Sequence, residues 1–349
     1  MRKNVSLVQA GNEYLGHLEA RGTEPGTLNN IAITLRQFRT DVCGAEGDIL
    51  LSNITPKHAD KWRTAHAWAP STANRKLSEV RSMFKWCRAR GYMGDIDPFV
   101  GWKNERVPDQ QRLRIPLTDW DALLDSAPHP LERAILACGL FLMARASELA
   151  PIQLKHLDLD NNEVEVYRKK TKRWDTLPIC QELEVELRRW LTWYSERAPH
   201  ALDGDCYLLP NRVRNHTLRD PRTGRLMRLD PEAPLNPREQ ATLLHRHVKL
   251  ALRNAGYETL QQGGHTLRRS AARALYDELV EERGYDGALR RVQTMLDHKS
   301  SQTTELYLGL DVDKVTRNKS LRGKPMFASR VQADRSNVVA LTRRDGTDG

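Results

Sequence analysis

Apolar residues recur at helical period through the first hundred positions. Ser6 to Arg21, Thr27 to Val42, Thr55 to Trp68 and Ser71 to Arg90 each place apolar side chains three or four residues apart, on one face of an α-helix. Gly22, Gly44 and Gly91 stand where helix ends need a residue tolerant of left-handed backbone, and Pro56 suits a first turn. In the last segment Leu77, Val80, Phe84 and Cys87 form a stripe for a core. Ser78, Arg81, Lys85 and Arg88 form a second, basic stripe. A solvated charged face is the ordinary outcome of such a stripe; a surface that follows DNA phosphates is the other.

The pattern then changes. Asp97 to Arg114 is polar, proline-bounded and weakly periodic, and reads as a linker. Thr118 suits the N-cap of a helix over DWDALLDSA, and Leu131 to Met143 is apolar nearly all round, as a buried helix would be. Alternation follows in LDLD, EVEVY and TLPI, with turn signals at Asn161-Asn162 and a basic tip KKTKR. This predicts a small antiparallel sheet whose second turn carries Lys170 and Lys172. Residues 200–236, rich in Pro, Arg and Asn, read as an extended insertion. Helical spacing returns over Arg238 to Asn254, closed by Gly256, then Thr266 to Arg283, Asp286 to Asp297 and Gln302 to Leu310. The expected fold is mainly α with a small antiparallel β-sheet, in the α+β class. It comprises a helical domain over 1–96, a linker over 97–114, a mixed domain over 115–319 and a tail over 320–349. The tail's apolar patch, Val338 to Leu341, either docks on a neighbouring protomer or has no fixed partner.

Charge narrows the partner. A formal net charge of +10 suits a polyanion or a generally basic soluble protein, and the many arginines favour bidentate phosphate contacts. The five cysteines are widely spaced without CxxC and lie mostly in apolar helical patterns, so they read as reduced thiols of a cytoplasmic protein. No apolar run reaches membrane length. His245 and His247 do not share a helical face and lack a carboxylate partner in sequence, so no metal site is expected. No phosphate-binding GxxxxGK[ST] loop, GxSxG nucleophile turn or acidic two-metal cluster is present either.

The candidate chemistry lies in two places. His265 and Arg268 stand three apart after Gly263-Gly264, at the exposed start of a helix, where free amides also attract phosphate. His298 and Tyr307 follow in LDHKSSQTTELY. Upstream, Arg145 ends the buried helix with Glu148 three residues on, either as a structural ion pair or with Glu148 orienting Arg145 toward a phosphate. Lys170 or Lys172 at the hairpin tip could donate a proton; the spacing to Leu177-Pro178 favours Lys170. Two guanidiniums, two imidazoles, an ammonium and a phenol suit covalent phosphoryl transfer on DNA without a metal or other cofactor.

In order and spacing, MARASELAPIQLKHLDLD, the KTK hairpin ending in TLPI, HTLRRS and LDHKSSQTTELY resemble the tyrosine recombinase family, which includes phage and plasmid integrases. The resemblance covers roughly residues 5–315. It implies a helical core-binding (SAM-like) domain and a catalytic domain that together form a C-shaped clamp on double-stranded DNA. It implies Tyr307 as nucleophile, Arg145, Arg268 and His298 on the phosphate, Lys170 as acid, His265 as base and Glu148 in support. Arg81, Lys85 and Arg88 are the expected DNA-binding residues. The implied reaction is site-specific recombination by a homo-tetramer through a 3′-phosphotyrosine and a Holliday junction, with a directionality factor as a further partner and a mobile genetic element as the setting. A type IB topoisomerase-like enzyme and a non-catalytic DNA-binding protein are the alternatives. The chain departs from the family at Ala144, in the long 200–236 stretch and at Asp297, where a glycine is usual before the second histidine. The first predicted helix starts near Ser6, which is expected to leave no place for the arm-binding domain that precedes this core in some phage integrases.

Overall fold

The computed structural model describes residues 4–45, 47–94, 97–107, 113–198, 200–212, 233–242, 244–259 and 262–310. The tail from Ser320 and most of the 200–236 stretch lie outside the described residues. The chain divides into two compact units, Met1–Gln110 and Gln111–Gly349.

The first unit is built from α1 (Leu7–Ala20), α2 (Pro25–Cys43), α3 (Pro56–Thr64) and α4 (Pro70–Ala89). The Ser6 hydroxyl caps α1 by accepting from the Gln9 N–H, and Pro25, Pro56 and Pro70 each open a helix. α3 stops at Thr64, earlier than the periodicity through Trp68 predicts. Leu77, Val80, Phe84 and Cys87 face the core, where Phe38 meets Trp62, Phe84 and Phe99 in tilted and edge-on ring contacts. Phe99 is 1% exposed, and Asn74 exchanges hydrogen bonds with the main chain of Glu105. Part of what reads as linker therefore folds onto this unit.

In the second unit, α5 (Trp120–Asp125) and α6 (Pro130–Phe141) precede the short α7 (Ala146–Leu149). Thr118 does not cap α5; it sits within a 3-10 turn over Leu117–Asp119, its hydroxyl directed to the Asp119 carboxylate. Strands β1 (Leu157–Asp158), β2 (Glu163–Arg168) and β3 (Arg173–Pro178) make an antiparallel sheet with Val164 opposite Leu177 and Arg168 opposite Arg173. The long helix α8 (Gln181–Arg197) follows. A second sheet pairs β4 (Pro210–Arg212) with β5 (Leu235–Gln240), so Arg238 to Gln240 is strand, where helical spacing was predicted. α9 (Leu244–Asn254), α10 (Gly264–Met295) and α11 (Ser301–Leu308) complete the unit, with a kink in α10 at Gly284 (φ 69°). α6 runs through the core, with Leu131, Ile135, Leu136 and Leu140 buried. A Cβ at Gly139 would stand 2.7 Å from the Leu267 side chain, so this glycine lets the start of α10 approach the end of α6.

Candidate active site

The geometry begins with a carboxylate. Glu148, on α7 and 1% exposed, accepts from the Arg145 N–H (2.9 Å), the Arg145 guanidinium (2.6 Å) and the Arg168 guanidinium (3.0 Å). Arg268 lies 3.7 Å away. Burial pushes the Glu148 carboxyl up, but the Arg145 N–H and the Arg145 and Arg168 guanidiniums outweigh it and hold it below its ordinary value. One buried acid thus gathers three arginines from the N-cap of α7, from β2 and from α10, and the surplus positive charge is what an incoming phosphate would neutralise.

Arg268 is fixed from both sides. Its guanidinium donates to the carbonyls of Met143 and Leu296, each at 2.5 Å, while only 1% of the residue is exposed. Met143 (φ 47°) has left-handed backbone, and so does Asp297 (φ 50°), the neighbour of Leu296. Such strain in residues with side chains marks places where the surroundings dictate the conformation. Here it turns two carbonyls onto one guanidinium. Burial, then the charge of Arg145, pushes the Arg268 pKa down to about 10, so it remains a cation at neutral pH.

His298 and Tyr307 stand edge to face, with ring centroids 5.3 Å apart. The His298 Nδ1 faces the buried Thr304 hydroxyl at 3.1 Å, which leaves Nε2 for a ligand. Burial and the charges of Arg268, Arg145 and Lys170 push the His298 pKa down to about 4; Asp297 opposes them and is outweighed. The imidazole is therefore neutral. Burial also raises the Tyr307 pKa above 10.0, against the pull of Arg268, Arg269 and Arg145. Its hydroxyl reaches the main-chain oxygen of His265 at 3.5 Å, and the Ser300 hydroxyl caps α11 beneath it.

Among the predicted residues, Arg145, Glu148, Arg268, His298 and Tyr307 are gathered together. Lys170 is exposed on the turn between β2 and β3, near enough for its charge to act on His298. His265 is exposed at the start of α10. In the first unit, Lys85 is exposed, but the Arg81 guanidinium donates to the carbonyls of Phe99 and Trp102. That arginine serves the packing of residues 97–107.

One residue escaped the sequence reading, and the expectation for His247 is corrected. Arg168 is 0% exposed and joins Glu148, Asp175 and the Met295 carbonyl. Its signal was the alternation of β2, in which Val164, Val166 and Arg168 point the same way. His247 does have a carboxylate partner: its Nδ1 meets Glu132 at 2.9 Å, in a buried cluster with Arg212 that ties α6 and α9 to β4.

The sequence model of the phage integrase family matches residues 123–313, more than half of the chain. The chain belongs to the phage integrase family. This tyrosine-type site-specific recombinase is 28% identical over 246 residues to tyrosine recombinase XerC of Salmonella typhi, covering 69% of this chain and 70% of that one. It is 27% identical over 322 residues to tyrosine recombinase XerC of Mycobacterium sp. (strain JLS), covering 89% and 96%. In fold it is similar to a lambda integrase dimer bound to a COC′ core site, with a TM-score of 0.64 at 17% identity over 87% of this chain and 77% of that one. A lambda integrase tetramer bound to a Holliday junction gives a TM-score of 0.61 at 17% identity, over 85% and 78%. Among the described residues of this recombinase, no helix is long and apolar enough to cross a membrane.

Proposed function

We propose that this recombinase cuts and rejoins double-stranded DNA through a covalent bond to Tyr307. The observation that carries the reading is the convergence of Arg145 and Arg268 on Glu148, beside the His298–Tyr307 ring pair.

The Tyr307 oxygen attacks a scissile phosphorus, an oxygen–phosphorus bond forms, and the bond to the 5′-oxygen breaks. The products are a 3′-phosphotyrosine and a free 5′-hydroxyl. Arg145 and Arg268, already positioned before DNA arrives, bind the non-bridging oxygens and stabilise their growing charge. Neutral His298 adds a donor through Nε2, its Nδ1 facing the Thr304 hydroxyl. Tyr307 is a neutral phenol in the DNA-free protein, so its proton must leave during attack, and His265 receives it. Lys170 gives a proton to the departing 5′-oxygen. The 5′-hydroxyl of a partner strand reverses these steps and rejoins the backbone. The phosphodiester energy is kept in the tyrosyl ester, so the cycle needs neither ATP nor metal.

The helical unit, through Lys85 and Arg88, and the catalytic unit each bind the DNA. Four copies exchange strands in pairs through a Holliday junction, in the cytoplasm, and a directionality factor would bias integration against excision. The test is strand exchange between two labelled duplexes drawn from DNA flanking the gene. Recombinant duplexes support the reading. Relaxation of supercoiled DNA with no exchange at any such site would replace it with a topoisomerase-like activity.

A further inference from the structure

We propose that Asp297 is a latch on the turn between β2 and β3 that positions Lys170 over the scissile phosphate. The inference rests on Lys170 as the acid and adds the residue that holds it there.

Asp297 follows the end of α10 and immediately precedes His298. Its backbone is left-handed (φ 50°), a conformation glycine adopts freely and a residue with a side chain adopts at a cost. The aspartate adds two acceptor oxygens that a glycine here would lack. Its Oδ1 accepts from the Arg173 guanidinium at 2.9 Å and its Oδ2 from the Thr171 hydroxyl at 3.3 Å. Thr171 lies in the turn that joins β2 to β3, next to Lys170, and Arg173 opens β3.

The turn is consequently held from both strands. Arg168, at the end of β2, is buried and donates to Glu148 and to the carbonyl of Met295. Arg173, opposite it at the start of β3, and Thr171 in the turn are held by Asp297, two residues beyond Met295. The end of α10 thus carries both anchors of the hairpin as well as His298. The Asp297 side chain is 14% exposed and that of Arg173 59%, so water screens this second anchor and it can release more readily than the buried one at Arg168. Without the carboxylate, Arg168 stays fixed while the turn, and Lys170 with it, loses its register with the phosphate. Misplacing a reacting group by about 1 Å can cost on the order of 100-fold in rate.

The experiment compares single-turnover cleavage of two matched duplexes, one with the ordinary 5′-oxygen and one with a bridging 5′-sulfur at the scissile phosphate. A thiol has a pKa of about 8.5 and departs without a proton, so the sulfur duplex bypasses the acid. Lys170→Ala is expected to slow the oxygen duplex by roughly 10²–10⁴-fold and to approach wild type on sulfur. Asp297→Gly and Asp297→Asn are expected to slow the oxygen duplex by about tenfold or more and to recover on sulfur in the same way. Glycine removes the backbone strain, so Asp297→Gly is also expected to unfold no earlier than wild type, which separates loss of position from loss of fold. Asp297 variants that match wild type on oxygen, or that are slowed equally on both duplexes while Lys170→Ala is rescued, overturn the latch. Lys170→Ala slowed equally on both duplexes is a distinct result, and it overturns the acid assignment itself.

Discussion

Replacing Glu148 tests how the site is held together. Its carboxylate is 1% exposed, accepts from Arg145 and Arg168, and lies 3.7 Å from Arg268. Glu148→Ala would leave three arginines facing one another with Asp175 as the remaining carboxylate on Arg168. Breaking a buried ion pair from one side typically costs about 3–5 kcal/mol, because the stranded charge keeps its desolvation penalty. Against a typical total stability of about 5–15 kcal/mol, that is a large fraction. Glu148→Gln keeps the volume but points an N–H₂ group at a guanidinium, so about 2–3 kcal/mol is expected. The assay is urea unfolding followed by far-UV circular dichroism, with the midpoint falling and the slope unchanged. A pH series adds a sign. The folded pKa of Glu148 is depressed below 4.5, so its stabilisation is present above that value and is lost as pH falls through the folded pKa. Wild type should therefore lose stability below about pH 4.5 more steeply than Glu148→Gln. A Glu148→Ala protein within about 1 kcal/mol of wild type would refute the idea that this carboxylate organises the arginines.

Three further outcomes are expected. Arg268→Lys removes the planar fork that meets the Met143 and Leu296 carbonyls, and single-turnover cleavage should fall by roughly 10²–10³-fold with DNA affinity changed far less. The His298 ring signal in a nitrogen-15 pH titration should stay neutral through pH 6 and move near 4; a midpoint near 6.5 would contradict the burial and charge argument. Arg81→Ala should lower stability of the first unit by about 1–3 kcal/mol, through the carbonyls of Phe99 and Trp102, and leave the salt dependence of DNA binding unchanged; a shallower salt slope would show that it contacts phosphate.

Legibility followed local rules. The face of α4 carrying Leu77, Val80, Phe84 and Cys87, the first turn of α3 at Pro56, and the β2–β3 hairpin were readable because spacing and turn chemistry fix them within a few residues. The second sheet was not, because β4 is three residues long and pairs with a strand more than twenty positions away that contains Pro237. At the site, motif order singled out Arg145, Arg268, His298 and Tyr307, which lie together, but their restraints are tertiary. No local pattern announces that the Met143 and Leu296 carbonyls converge on one guanidinium, or that Arg81 is engaged by residues 18 and 21 positions away. Arg168 was within reach of the alternation rule, since a third inward position in β2 that is an arginine demands a buried acid. Asp297 was visible as a departure from glycine, but its partners on the hairpin were not.

The claim that Tyr307 becomes covalently bound to DNA is tested most directly by trapping. Wild type and Tyr307→Phe are incubated in EDTA with nicked duplexes drawn from DNA flanking the gene, and resolved on denaturing gels. The account predicts a denaturant-resistant adduct in wild type alone, joined through the 3′-phosphate and leaving a free 5′-hydroxyl. An adduct that persists in Tyr307→Phe, or one joined through a 5′-phosphate, would contradict it.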